Sequence, residues 1–183
     1  KEVLPSVTRG MNFRFIVRDN FPGSGGVDYK DISFDVLNTG SAFAITYPTK
    51  PGDKLFKNSC NLITWDVAKS DRFPINCKKV NILLYTKRDW ANPIMLKANT
   101  DNDGSEIVSI PDLPNDNTAR IEVASVDNIF FDVSNDNVEL QAADENKILF
   151  SINPLNKKIC LPEVINLDIS TCAQGNFNGT VNA

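Results

Sequence analysis

The residues that could do chemistry in this chain are acids, cysteines and aromatics, because it contains no histidine. That removes the commonest general base near neutral pH. It excludes Ser-His-Asp and Cys-His triads within the chain. It also excludes HExxH and three-histidine sites, so no zinc site is expected. Catalysis would have to rest on carboxylates, Lys, Tyr or Cys. There are 23 acids, and a glycosidase pair needs two of them about 5 to 10 Å apart. Spacing along the chain singles out no such pair. The expectation is a chain with no catalytic residue.

Three groups of acids invite a test as calcium ligands, since a hard cation takes clustered oxygens. The first is Asp101-Asn102-Asp103-Gly104-Ser105-Glu106. An EF-hand would need a bidentate Glu at loop position twelve. Counted from Asp101 that position is Asp112, which follows Pro111 and lies beyond a strand-like run. A calcium loop on Asp101 and Asp103 therefore competes with a plain hairpin turn. The second group is Asp127 and Asp132, with Asp136, Asn128 and Asn135. These could converge at one end of a β-sandwich and bind calcium between domains, or be solvated turns. The third is Asp19, Asp28 and Asp31 around Gly23-Ser24-Gly25-Gly26. Glycines let backbone carbonyls approach an ion, and they serve a flexible loop equally well.

Trp90 stands beside Arg88 and Asp89 in a polar loop. It could stack on a sugar ring or fill a partner's pocket; packing on Pro93 and Met95 is the plain alternative. Trp65 lies in an apolar run and reads as core. Tyr29, Tyr47 and Tyr85 could join an aromatic platform, which spacing alone does not show. Asn178-Gly179-Thr180 is an N-x-T sequon that reads as a turn before a strand.

The cysteines form two close pairs: Cys60 and Cys77 are 17 apart, Cys160 and Cys172 are 12 apart. Four cysteines allow three pairings, and sequence alone does not choose. Local pairing is the expectation, because each pair then falls within one proposed unit. A 17-residue closure would contribute roughly 3 kcal/mol by chain entropy. Extracellular disulfides and buried thiols are both open readings. No CxxC spacing supports a structural zinc.

The elements that must position these residues have a period of two. Phe13, Phe15 and Val17 alternate, as do Ile32, Phe34 and Val36, which are expected to face inward. Further strands read at 43–47, 62–67, 80–85, 94–96, 106–110, 119–126, 129–133, 147–152 and 164–169, with another from Phe177. The 94–96 strand is short and edge-like. The 22 Asn and 17 Asp residues supply turns between them. No segment carries a sustained helical stripe. Strands recurring about every 10 to 15 residues suggest a sandwich or barrel. The expected fold is all-β, with immunoglobulin-like or fibronectin-III-like β-sandwiches in tandem. Residues 1–40 would be closing strands of one module, 41–141 a whole sandwich, and 142–183 the opening strands of a further module.

Nineteen Lys and Arg against 23 acids leave a net charge of −4, with no basic stripe for a nucleic acid. No run of 18 apolar residues would span a membrane. Lys1 opens without a signal peptide, as a mature secreted chain or an excised fragment would.

One set of residues is distinctive together. It runs Thr64-Trp65-Asp66-Val67-Ala68, then Pro74 to Leu84, Asn99 to Glu106, Ala119 to Val123 and Asn128 to Asn135. It resembles the immunoglobulin-like module that follows the catalytic domain in secreted reprolysin-like zinc metallopeptidases, chiefly of the Bacteroidetes. Met11 to Asn20, the glycine-rich loop and Asp31 to Val36 are similar to the closing strands of a preceding sandwich. Cys160-Leu161-Pro162 and Phe177 to Val181 are similar to the opening of a following module. The resemblance implies no catalytic residue here, since that family's zinc site needs histidines this chain lacks. It implies a non-catalytic accessory region of a secreted or cell-surface protein, acting as spacer, stabiliser or interaction module. Its partners would be other domains of the same polypeptide, or a cell-surface protein or glycan. The alternative is a module that binds carbohydrate or calcium and targets the parent protein to its substrate.

Overall fold

A computed structural model describes residues 6–19, 21–23, 25–153, 168–177 and 179. The described residues form strands and connections and no helix. The chain divides into two compact units, Lys1–Ser41 and Ala42–Ala183.

The first unit is a hairpin of β1 (Arg9–Arg18) and β2 (Val27–Val36), antiparallel from Arg9 opposite Val36 to Arg18 opposite Val27. Alternation places Met11, Phe13, Phe15 and Val17 on the same face as Ile32, Phe34 and Val36. The Phe13 and Phe34 rings stack at 5.4 Å. The inward expectation for this face is corrected in part. Among the described residues of the unit nothing lies over it, and Phe15 and Ile32 are 66% and 54% exposed. The other face carries Arg14, whose guanidinium binds both Asp31 oxygens at 2.7 and 2.9 Å and covers the Tyr29 ring.

The second unit contains, in chain order, β3 (Ala44–Tyr47), β4 (Lys54–Phe56), β5 (Ser59–Asp66), β6 (Lys79–Tyr85), β7 (Ile94–Asp101), β8 (Ser105–Ile110), β9 (Asp116–Ser125), β10 (Phe131–Val133), β11 (Val138–Gln141), β12 (Lys147–Asn153) and β13 (Asp168–Gln174). One sheet has the order β3-β5-β8. The other runs β4-β11-β9-β6-β7, with β10 also on β9. Pairing is antiparallel except for β4 with β11.

The two sheets form a β-sandwich. Val80, Ile82 and Leu84 of β6 and Ala119, Ile121 and Val123 of β9 are fully buried. They meet Ile45, Ile63, Trp65, Val108 and Ile110 from the smaller sheet. Each buried Val, Leu or Ile contributes about 1.5–3 kcal/mol relative to exposure. The short strands β4 and β11 are additions to the sequence reading. β7 is longer than expected, eight residues at the sheet edge, with register shifts against β6.

The β12–β13 hairpin lies on the outer side of β5. Ile63 and Trp65 point into the core, so period two turns Cys60 outward. Cys60 bonds Cys172 of β13 across 112 residues, with Cα atoms 6.0 Å apart. The expected local pairs are thereby corrected. Cys77 lies in the connection between β5 and β6 as a buried free thiol, and Cys160 lies outside the described residues. Gln174 Nε2 donates to Cys60 O and Gly175 N to Ser59 Oγ on the same side. The opposite face carries Phe150, Ile152 and Ile169, all exposed. The expected 164–169 strand is described only from Asp168, and Phe177 lies outside any strand. Asn178 and Thr180 of the sequon lie outside the described residues.

Candidate functional site

The acid groups do not converge as their spacing along the chain suggested. Asp28 and Asp31 are three apart on β2 and so point to opposite faces of the hairpin. Asp31 is committed to Arg14, whose guanidinium holds its carboxyl below the usual range. Asp28 caps the Tyr29 N–H at 2.8 Å. The Asp19 carboxylate lies over the glycine loop, where a Cβ on Gly25 would come within 2.9 Å of it.

Asp101 and Asp103 bracket a corner between sheets rather than a hairpin turn, because β7 pairs with β6 and β8 with β5. Asp101 meets the Lys79 ammonium at 2.7 Å. Burial pushes the Asp103 carboxyl up, opposed by a bond from the Ser105 N–H. Asp127 is exposed between β9 and β10, whereas Asp132 accepts the Ile45 N–H at 2.8 Å and so ties β10 to β3. Among the described residues no three acids or cysteines are grouped as a metal site needs.

The same corner turns Asn102 inward, into a structural network. Trp65 Nε1 donates to Asn102 Oδ1 at 2.9 Å, and Asn102 Nδ2 donates to Ser70 Oγ and Cys77 O at 2.8 and 3.0 Å. The Cys77 thiol donates to Lys79 O. Every polar atom of this amide is satisfied, as a buried amide requires. Trp65 is core, as its apolar surroundings predicted.

Trp90 behaves differently. It is 54% exposed, whereas Trp65 is 4% exposed. The Trp90 ring rests on Tyr85, with ring centroids 4.8 Å apart and planes tilted by 40°. Tyr85 is buried, and its hydroxyl donates to Glu122 Oε2 at 2.6 Å. Burial first, then that bond, push the Tyr85 phenol up to about 12.

The turn leading to Trp90 is strained. Lys87 and Arg88 have φ of 54° and 57°, a region that costs a side-chain-bearing residue on the order of 1–3 kcal/mol. Several bonds hold it there. Asp116 accepts the Lys87 N–H, and Asp89 N donates to Thr86 O. The Asp89 carboxylate accepts from Ala91 N and Asn92 Nδ2 at 3.1 and 2.9 Å. Those bonds, Asn92 first, hold the Asp89 carboxyl low. Burial alone would raise Asp116, but bonds from Lys87 and Thr118 outweigh it and lower its carboxyl. Sequence reasoning singled out Trp90 and named Tyr85 as a candidate for an aromatic platform without linking the two, and it missed the clamp, Asp116. A Tyr five positions before a Trp across a turn, and an Asp two before a Thr, were the available signals.

An open groove of about 390 Å³ runs between β7, β8 and the β12–β13 hairpin. Its polar lining is Ser109, Ser151, Ser170, Thr171 and a Lys97–Glu106 pair at 3.9 Å. No two carboxylates face each other across it among the lining residues.

Compared with models of known families, the chain matches none, and a search of curated proteins finds no match either. The fold defines the class: an all-β chain with one β-sandwich and a disulfide-bound hairpin.

Proposed function

We propose that this chain is a non-catalytic accessory region of a secreted multidomain protein, one that spaces and joins neighbouring β-modules. One observation carries the reading. The sandwich closes its own core, while the β1–β2 and β12–β13 hairpins each carry an apolar face that their own strands leave uncovered: Phe13, Phe15, Val17 and Ile32 on one, Phe150, Ile152 and Ile169 on the other. Contiguous exposed apolar faces mark contact surfaces. A two-stranded ribbon is also marginal by itself. Strands of adjoining modules in the same polypeptide are the natural cover.

The strand order supports an immunoglobulin-like sandwich. With β4 and β10 set aside, the first, second and fifth strands of the sandwich (β3, β5, β8) face the third, fourth, sixth and seventh (β6, β7, β9, β11). The disulfide is compatible with an oxidising compartment and supports secretion. The resemblance to modules of reprolysin-like metallopeptidases supports a parent peptidase whose catalysis lies outside these residues.

Two measurements on the purified chain test this. Labelled casein with added zinc should remain intact; zinc-dependent cleavage by the chain would overturn the reading. A dye that lights up on apolar surface should brighten with the native chain. The signal should fall when Phe13, Phe15 and Phe150 are changed to Ser with the far-ultraviolet dichroism unchanged. A native chain that leaves the dye dark has no open faces to join.

A further inference from the structure

The β6–β7 loop is held far more firmly than a plain connection requires, and what it holds up is an exposed tryptophan. Lys87 and Arg88 sit in left-handed backbone, clamped through Asp116. The Asp89 carboxylate organises the next turn through Ala91 and Asn92. Beneath Trp90 the Tyr85 ring is fixed by burial and by Glu122. Strain kept in place by surrounding bonds is a mark of functional loops. A rigid platform loses little freedom when a ligand arrives.

The chemistry around the indole narrows the ligand. In the loop Lys87 and Arg88 are offset by Asp89 and by Asp116, which accepts the Lys87 N–H, and the Glu122 carboxylate is taken up by the Tyr85 hydroxyl, so no excess charge is left to select an ion. It offers a broad apolar ring surface bordered by charged hydrogen-bonding groups. The molecule that complements both is flat, apolar across its ring face and lined with hydroxyls at its edge. We propose that Trp90 is the stacking platform of a binding site for a neutral, pyranose-containing oligosaccharide, with Arg88 and Asp89 taking ring hydroxyls. The site sits wholly on the sandwich, so it stands or falls separately from the joining role of the hairpins.

The chain's two tryptophans make the test direct, because one is buried and one exposed. The full chain is screened on an array of neutral and anionic glycans. Hits are then titrated as free hexasaccharides, following tryptophan emission. The expected result is a neutral glycan whose binding shifts the emission of Trp90. Trp90→Ala should weaken it at least about tenfold, Trp90→Phe less, and Trp65→Phe should leave the shift in place. Asp116→Asn, which loosens the turn and leaves the Trp90 and Tyr85 rings in place, should weaken binding by less than Trp90→Ala while far-ultraviolet dichroism shows the fold retained. Binding confined to anionic glycans overturns the proposal. So does a neutral hit that Trp90→Ala retains while folded, or no neutral hit at all. If instead Trp90→Ala abolishes capture of a protein and no glycan binds, the indole is a protein anchor and the sugar site is wrong.

Discussion

The sandwich core and the β1–β2 hairpin use one alphabet with opposite results. Val80-Asn81-Ile82-Leu83-Leu84 and Phe13-Arg14-Phe15-Ile16-Val17 both alternate, and both place apolar side chains on one sheet face. In β6 that face meets the second sheet, and Val80, Ile82 and Leu84 are sealed. In β1 no described residue of its unit covers it, and Phe13, Phe15 and Val17 are about half-exposed or more. Alternation declares that a face is to be covered; it does not say that the cover is local. The same difference separates the two tryptophans. Trp65 satisfies its indole inside the fold through Asn102, while Trp90 is propped outward on Tyr85.

The contrast can be broken or sharpened by mutation, beginning with the largest effect. Leu84→Ala opens a cavity in a sealed core and should cost about 3 kcal/mol in urea unfolding. A loss under about 1 kcal/mol would mean that the core is loosely packed and the contrast with the hairpin false. Asn102→Ala leaves the Trp65 N–H, a backbone carbonyl and a hydroxyl short of partners at once. A loss of about 2 kcal/mol is expected, together with altered near-ultraviolet dichroism of Trp65. Unchanged stability would show water replacing the amide.

Cys172→Ser should lower global stability by only about 1 kcal/mol. The chain-entropy account assigns roughly 5 kcal/mol to a loop of this length when the whole fold is cooperative. The smaller figure is expected because the hydrogen bonds tying β13 to β5 are those from Gln174 and Gly175. Exchange should accelerate at the amides of β12 and β13 while those of β6 and β9 stay protected; uniform acceleration would make the hairpin part of the core. Smallest of all, Phe13→Ala removes a side chain already half in water and should move the main transition by under about 0.5 kcal/mol. A core-sized loss there would show that its face is covered.

How far the fold was legible follows from element length and burial. β1, β2, β5, β6, β8 and β9 are long enough for period two to show, and each was anticipated within a few residues. β4 and β11 have three and four residues, too few for any period. β7 read as three residues because Lys97 and Asn99 are polar; it is an edge strand, wet on its outer side. Among the described residues the acid groups do not gather in threes, for a geometric reason. Asp28 and Asp31 have opposite parity on one strand. Asp101 and Asp103 flank a corner that turns Asn102, not a carboxylate, inward.

Sequence alone determined the all-β class, the apolar faces and the exclusion of histidine chemistry, because each follows from residue type or from a period that the backbone imposes. Tertiary structure decided the rest. Cys60 chose Cys172 over Cys77 because strand parity turned it away from the core and toward the hairpin. Trp65 and Trp90 parted company because one strand is covered by a second sheet and the other ends in a loop. Such outcomes depend on which faces meet, and facing is a property of the packed sheets that spacing along the chain does not contain.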